Sequence, residues 1–340
     1  MDAIHVVLAV YDPKGTYSRH AGVVMTSIFE HTKSSVCVHI LHDETLTEHN
    51  CSLFKETADM YGQSVEFHDV SPFMRQMSEE ALQQARKGHS FGALYRLLVP
   101  NILSLDKIIY LDCDVVVNMD IRELWDIVMG EYSIAGVLDA NKIYGRFSFK
   151  AFQLKLMKCD RENYVNSGVL VMNLSRIREK HDLIQESIEW YKQYQHYAKH
   201  VDQNFINSRF CGDIKIIDGK FNNCHAHKGE VSDSILHAIL ATSKPWNEIR
   251  GSALDRLYWK AFLKSPFGRL ESNEIADTMI DLIERSSLNH RHTSQCYGKI
   301  FSRFWKDIFC NDITMILWLC AKCAYYRIIA YSASKRGLQE

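Results

Sequence analysis

Ile108-Ile109-Tyr110-Leu111-Asp112-Cys113-Asp114-Val115-Val116-Val117 enters as an apolar run, holds two carboxylates two residues apart, and leaves as a second apolar run. A buried strand rich in β-branched residues has no reason of its own to carry two acids, because burying unpaired charge is costly. Residues i and i+2 of an extended chain face the same side, so both carboxylates can converge on one cation. Hard divalent ions take oxygen ligands of this kind. The alternative is a strand end that turns into solvent with two idle acids. Context decides between them.

Upstream, Ile4–Val10 reads as a buried first strand, broken by Asp12-Pro13-Lys14-Gly15 as a turn. Residues 21–32 follow with helical spacing of Val24 and Ile28. Residues 36–41 form a second strand. Thr47 is an N-cap for a helix to about residue 60, and residues 64–70 form a third strand. A β-α-β-α-β beginning predicts an α/β fold, with a mainly parallel mixed sheet flanked by helices. Ligands of such sheets bind beyond the carboxyl ends of the strands, which is where Asp112 and Asp114 fall. Residues 71–92 read as a loop or short helices. Downstream, helices are expected near 121–128, 182–197 and 200–210, and strands at 132–138, 169–172 and 214–218.

The chain has 340 residues, 46% apolar and 24% charged, with a net charge of −1, so nothing global argues for nucleic acid. Residues 286–340 carry eight Lys/Arg against three Asp/Glu, leaving a basic end on an otherwise acidic body. Ten cysteines are scattered without a disulfide framework, and no uncharged run is long enough for a membrane span. Met1-Asp2 runs straight into the first strand without a signal-peptide pattern. A cytoplasmic location is therefore expected. No feature points to an oligomeric state. P-loop, dinucleotide and nucleophile-elbow motifs are all absent. A doubly wound sheet with a carboxylate pair but no P-loop suggests a diphosphate held by a metal and scattered polar groups.

Six further features stand in order around the pair: Ala9 through Tyr17 then Ser27; Tyr95-Arg96-Leu97; Asn166-Ser167-Gly168-Val169; Asp202-Gln203; His237; and Lys244-Pro245-Trp246. With them the chain resembles family 8 retaining glycosyltransferases of the bacterial lipopolysaccharide type, which have the GT-A nucleotide-sugar-binding fold. The resemblance runs from about residue 4 to about residue 268. It implies a UDP-glucose or UDP-galactose donor and a glycan or glycolipid acceptor. Asp112 and Asp114, the DxD pair around Cys113, would bind Mn²⁺ (or Mg²⁺), with His237 as the third protein ligand; taken alone, His237 reads more readily as a core histidine. Tyr17 would stack on the uracil, Ala9 would contact the nucleotide, and Asp12 would reach the uracil or ribose. Arg96 would sit by the diphosphate and donor sugar, and Lys244 by the diphosphate. Asn166, Ser167, Asp202 and Gln203 would meet the sugar, with Gln203 and Asp202 nearest the reaction. Because Gln203 is a poor nucleophile, front-face attack is expected rather than a covalent intermediate.

The chain departs from the family pattern in two places. The loop before Tyr17 is about two residues longer, and Leu240 stands where a Gly usually follows the His. Leu240 motivates a rival reading as a non-catalytic nucleotide-sugar-binding protein. The other rival, a haloacid-dehalogenase-type phosphatase, also places Asp-x-Asp after a strand. A catalytic domain at 1–250 and a helical basic extension at 251–340 are expected. Within the extension, residues 313–336 interleave apolar and aromatic residues with Lys322, Arg327, Lys335 and Arg336. That pattern suits either peripheral contact with an anionic inner membrane surface or a packed terminal helix.

Overall fold

The first three strands form where expected. In the computed structural model they are β1 (Ile4–Val10), β2 (Val36–His42) and β3 (Ser64–Asp69). The structure describes residues 3–77, 79–88, 91–139, 149–194, 196–198, 200–224, 231, 233–239, 244–247 and 252–269. β1 pairs in parallel with β2 and with β4 (Lys107–Leu111), and β2 with β3. Ile4, Val6, Val7, Leu8 and Val10 are fully buried, which is why β1 reads as a continuous apolar run rather than an alternating one. α1 (Ser18–His31) and α2 (Glu48–Met60) follow β1 and β2, and the Thr47 hydroxyl accepts the Asn50 N–H at 3.2 Å as the expected cap.

The sheet continues through β7 (Val165–Asn173), antiparallel to β4, then β6 (Ile134–Leu138), antiparallel to β7, and β8 (Ile214–Ile216), parallel to β6. The order is β3-β2-β1-β4-β7-β6-β8. This is the expected mainly parallel mixed sheet. The polar stretch after residue 70 forms the short helices Ser71–Met74, Glu79–Gly88 and Gly92–Tyr95. Tyr95, Tyr110, Tyr191, Phe205 and Phe210 build a buried aromatic layer with helices Leu183–Tyr194 and Val201–Arg209.

One expectation needs correction. Val115-Val116-Val117 does not prolong β4. It belongs to β5 (Val115–Asn118), which pairs antiparallel with β9 (Ser234–His237) in a separate two-stranded sheet. Asp112-Cys113-Asp114 is the turn between the two sheets, so the carboxylates converge through a bend and not through strand alternation.

One compact unit comprises Met1–Pro245 with Arg250–Glu271, and a second comprises Trp246–Ile249 with Ser272–Glu340. Helix Ala253–Lys264 opens with a capping box formed by Ser252 and Asp255 and packs on α1. Gly22 of α1 admits the Phe267 ring, which a Cβ there would strike. The basic tail at 313–336 lies outside the described residues, and no described helix is long and apolar enough to cross a membrane.

The same contact carries a pH dependence. His20 on α1 lies 2.7 Å from the Tyr258 hydroxyl. Burial, helped by the Arg19 and Lys244 cations and opposed by Asp114, pushes its pKa down to about 3. Between that value and its unfolded one, the unfolded chain binds the proton and the folded chain does not. Stability is therefore retained above the unfolded pKa and lost as pH falls, by up to roughly 5 kcal/mol for a shift of this size. Thermal melts from pH ~7 to ~4 should fall less steeply for His20→Asn than for the wild type; equal slopes would remove His20 from the account.

Candidate active site

The turn at Asp112-Cys113-Asp114 is pinned from both sides. The Asp112 N–H donates to the Gly168 carbonyl on β7 at 2.8 Å, and the Ala238 N–H, just past β9, donates to the Asp114 carbonyl at 2.9 Å. Pairing of β5 with β9 sets Val115 opposite His237, which brings the imidazole beside Asp114. One ligand atom each from Asp112, Asp114 and His237 lies within 4.8 Å of the others. His237 Nδ1 donates to Asn222 Oδ1 at 2.8 Å, which turns Nε2 toward Asp114 Oδ1, 3.0 Å away. A second hydrogen bond of this kind orients a metal-binding histidine and fixes which nitrogen is offered.

Arg96 ties this cluster to the other end of the site. It is 4% exposed and pairs with Asp112 through Nη2 at 2.6 Å and with Asp202 through Nε at 3.1 Å. Nη1 donates to the Ser167 carbonyl, and the guanidinium lies over the Tyr110 ring at 4.4 Å. Burial disfavours its charge, yet the two carboxylates outweigh burial and raise its pKa. Burial pushes the Asp112 carboxyl up, with Arg96 opposing. For Asp114 burial also works upward, but the His237 and Lys244 cations hold it well below the usual carboxylate range. Burial disfavours charge on His237 as well. Asp114 wins there and raises the imidazole to about 10.

Polar side chains continue from the cluster in one hydrogen-bonded chain. Asn222 donates to Asn166 Oδ1 at 2.8 Å, Asn166 donates to Gln203 Oε1 at 3.3 Å, and Gln203 Nε2 donates to Asp139 at 2.7 Å. The Ser167 N–H also donates to Gln203 Oε1, at 3.1 Å, while its hydroxyl donates to Asp202 at 2.8 Å. Asn166, Ser167 and Gly168 lie on β7, and Asp202 and Gln203 open helix Val201–Arg209. The Gln203 carbonyl accepts two N–H groups and Asp202 is paired with Arg96. Neither is a free nucleophile.

A cavity of about 410 Å³ joins these groups. It brings together every expected site residue except Asp12. Asp12 is 1% exposed, and its carboxylate is filled by the Tyr17 and Ser18 N–H groups at 2.7 and 2.9 Å and the Ser18 hydroxyl at 2.6 Å. These bonds close the loop that carries Tyr17. Cys113 points its thiol at the Ala9 carbonyl, 3.3 Å away, and burial pushes that thiol well up, so it is an unreactive wall. Lys244 reaches Asp114 at 3.2 Å, although Leu240, in the loop before it, lies outside the described residues. Asp139 and Asn222 were not expected from the sequence. The only signals were an acid one residue past β6 and a polar pair after Phe221.

The family model described as glycosyl transferase family 8 matches residues 9–250. A candidate glycosyltransferase of Haemophilus influenzae is 27% identical over 207 residues, covering 61% of this chain and 60% of that protein. The lipopolysaccharide 1,3-galactosyltransferase of Salmonella typhimurium is 20% identical over 222 residues, covering 61% of this chain and 64% of its own. The chain thus spans less than two thirds of either relative's length. The crystal structure of the galactosyltransferase LgtC superposes with a TM-score of 0.63 at 21% identity, over 77% of this chain and 96% of that one, which shows the GT-A fold. The family match covers well over half of the sequence, and the chain therefore belongs to glycosyl transferase family 8.

Proposed function

We propose that the protein transfers a hexose, glucose or galactose, from a UDP-sugar to a glycan or glycolipid acceptor of a cell-surface polysaccharide precursor, with retention of anomeric configuration. The observation that carries this reading is the convergence of Asp112, Asp114 and His237 at one end of a cavity whose other end is lined by Asp202 and Gln203. Asp114 Oδ1 is buried without an aligned hydrogen-bond donor, as suits an oxygen meant for a cation. Two carboxylates and one imidazole fit Mn²⁺ better than Mg²⁺. When bound, such an ion supplies Lewis-acid neutralisation of the charge on the leaving diphosphate.

The chain's own residues do the rest. Tyr17 stacks on the uracil, and Ala9 and Cys113 wall the nucleotide. Lys244 is a compact cation for the diphosphate. Arg96 spends its hydrogen bonds on Asp112, Asp202 and Ser167, so it acts by positioning them rather than by grasping phosphate. Asn166, Ser167, Asp202 and Gln203 orient the sugar. The anomeric C–O bond to the leaving phosphate breaks while the acceptor oxygen bonds on the same face. The acceptor's proton passes to the phosphate oxygen, and the Gln203 amide stabilises the positive charge that develops on the sugar.

A panel of UDP-sugars assayed for UDP release should show one preferred hexose donor and dependence on Mn²⁺. No release from any donor would favour a binding protein without catalysis, and a glycosyl adduct trapped on Gln203 or Asp202 would overturn front-face attack. A phosphatase of the haloacid dehalogenase type is not favoured, because the family is a different one and β5 follows Asp114 with Val115-Val116-Val117 where that chemistry wants Ser or Thr. The basic tail supports a peripheral role at an anionic membrane surface. Flotation with anionic vesicles should be lost in Lys322→Glu/Arg327→Glu; unchanged flotation would reject the tail as the anchor.

A further inference from the structure

Away from the cavity, three histidines cross the edge of the seven-stranded sheet. His5 is on β1, His39 on β2 and His68 on β3. The register sets Val7 and Glu66 on either side of His39, so His5, His39, His68 and Glu66 project from one face. His39 Nε2 lies 3.0 Å from His5 Nδ1, and His39 Nδ1 lies 3.0 Å from His68 Nε2. Glu66 Oε2 completes a triangle, 3.4 Å from His39 Nδ1 and 3.7 Å from His68 Nε2.

A hydrogen bond between the imidazoles accounts for the 3.0 Å edge of that triangle and leaves Glu66 Oε2 without one, at 3.4 and 3.7 Å. A proton shared between two of its atoms satisfies one edge, and the carboxylate can only accept. A cation satisfies all three atoms together. A tetrahedral zinc-type ion with bonds of about 2.1 Å separates its ligand atoms by roughly 3.4 Å, and the three observed edges bracket that spacing. Two imidazoles and one carboxylate are also a ligand set that leaves a fourth position for water. The His39 side chain is 3% exposed, while those of His68 and Glu66 are 20% and 58% exposed, so the triangle is rigid at its base and reachable from solvent.

We propose that His39 Nδ1, His68 Nε2 and Glu66 Oε2 form a site for a divalent transition-metal ion of the zinc class. This site is separate from the Asp112–Asp114–His237 cluster and clips the edge strand β3 to β2. It stands independently of the donor and acceptor proposed above.

The test uses the full chain stripped of metal by a chelator and titrated with Zn²⁺ alone, in the wild type, Asp112→Asn, Glu66→Gln and His68→Gln. Glu66 and His68 are solvent-facing, so their variants should keep the wild-type circular dichroism. One Zn²⁺ equivalent should survive Asp112→Asn and weaken by about 100-fold or more in His68→Gln and Glu66→Gln, since even outer partners of a ligand cost 10–100-fold. Co²⁺, used as a second probe, should give the intense visible bands of a tetrahedral ion in the wild type and lose them in His68→Gln, a comparison that does not need Asp112→Asn to fold. Zn²⁺ uptake that is unchanged in both edge variants, or that vanishes with Asp112→Asn while the wild type shows no tetrahedral Co²⁺ bands, would overturn the site.

Discussion

Asp112→Asn should lower the turnover of UDP release by about 10³-fold or more while leaving a folded protein, because several kcal/mol of charge stabilisation depends on the cation it helps to hold. The substitution keeps shape and one acceptor oxygen, so Arg96 and the Tyr110 hydroxyl, which reach Asp112 Oδ1 at 2.6 and 3.2 Å, retain a partner. What it removes is the negative charge. Arg96 still pairs with Asp202, so its buried guanidinium is not left uncompensated, and the stability cost should stay near 1–3 kcal/mol. Asp114→Asn is a less clean experiment. It strips the counter-charge from the buried His237, and breaking a buried charge pair costs more, about 3–5 kcal/mol. Thermal melts separate the two cases, and a Mn²⁺ titration of UDP release reads the activity. Undiminished Mn²⁺-dependent release by Asp112→Asn would dismiss the metal assignment.

The parts of the fold legible in the sequence are those set by local physics. β1, β2 and β4 are largely apolar runs buried on both faces, and Thr47 announces its helix through a hydroxyl that a backbone N–H needs. The site itself was legible as an ordered set of residue types, and the cavity gathers all but one of them. What stayed hidden depends on partners far along the chain. The run Val115-Val116-Val117 has the same composition whether it continues β4 or crosses to β9, and only the pairing with residues 234–237 distinguishes the two. The partners of Asp12 were also hidden: the N–H groups of Tyr17 and Ser18 reach both of its oxygens. Asp139 is a single acid past β6 and Asn222 the first of two asparagines after Phe221, and neither has a spacing that reads as a site. For Arg96, nothing local reveals that Asp112 and Asp202 lie on either side of it.

Gly168→Ala should be nearly as damaging to activity as loss of the carboxylate, by packing alone. Gly168 has no positive φ, so alanine meets no backbone penalty there. The added Cβ would fall well inside contact distance of His237 Cε1, 2.7 Å from Asp112 Oδ2 and 3.1 Å from Asn166 Oδ1. None of these groups can step aside cheaply. His237 is held by Asn222 at one nitrogen and Asp114 at the other, Asp112 by Arg96, and Asn166 by Asn222. Overpacking of this kind costs about 1–3 kcal/mol of stability. Its larger effect is on geometry, because a displacement of about 1 Å among groups that must converge can cost about 10²-fold in rate. Gly219→Ala provides the control: it has nothing within 4 Å of its added Cβ and no positive φ, and it should leave both melting and UDP release unchanged. If Gly168→Ala kept wild-type Mn²⁺ affinity and turnover, the Asp112–His237 approach would have to be loose enough to admit a methyl group, and a tight three-ligand cluster would be excluded.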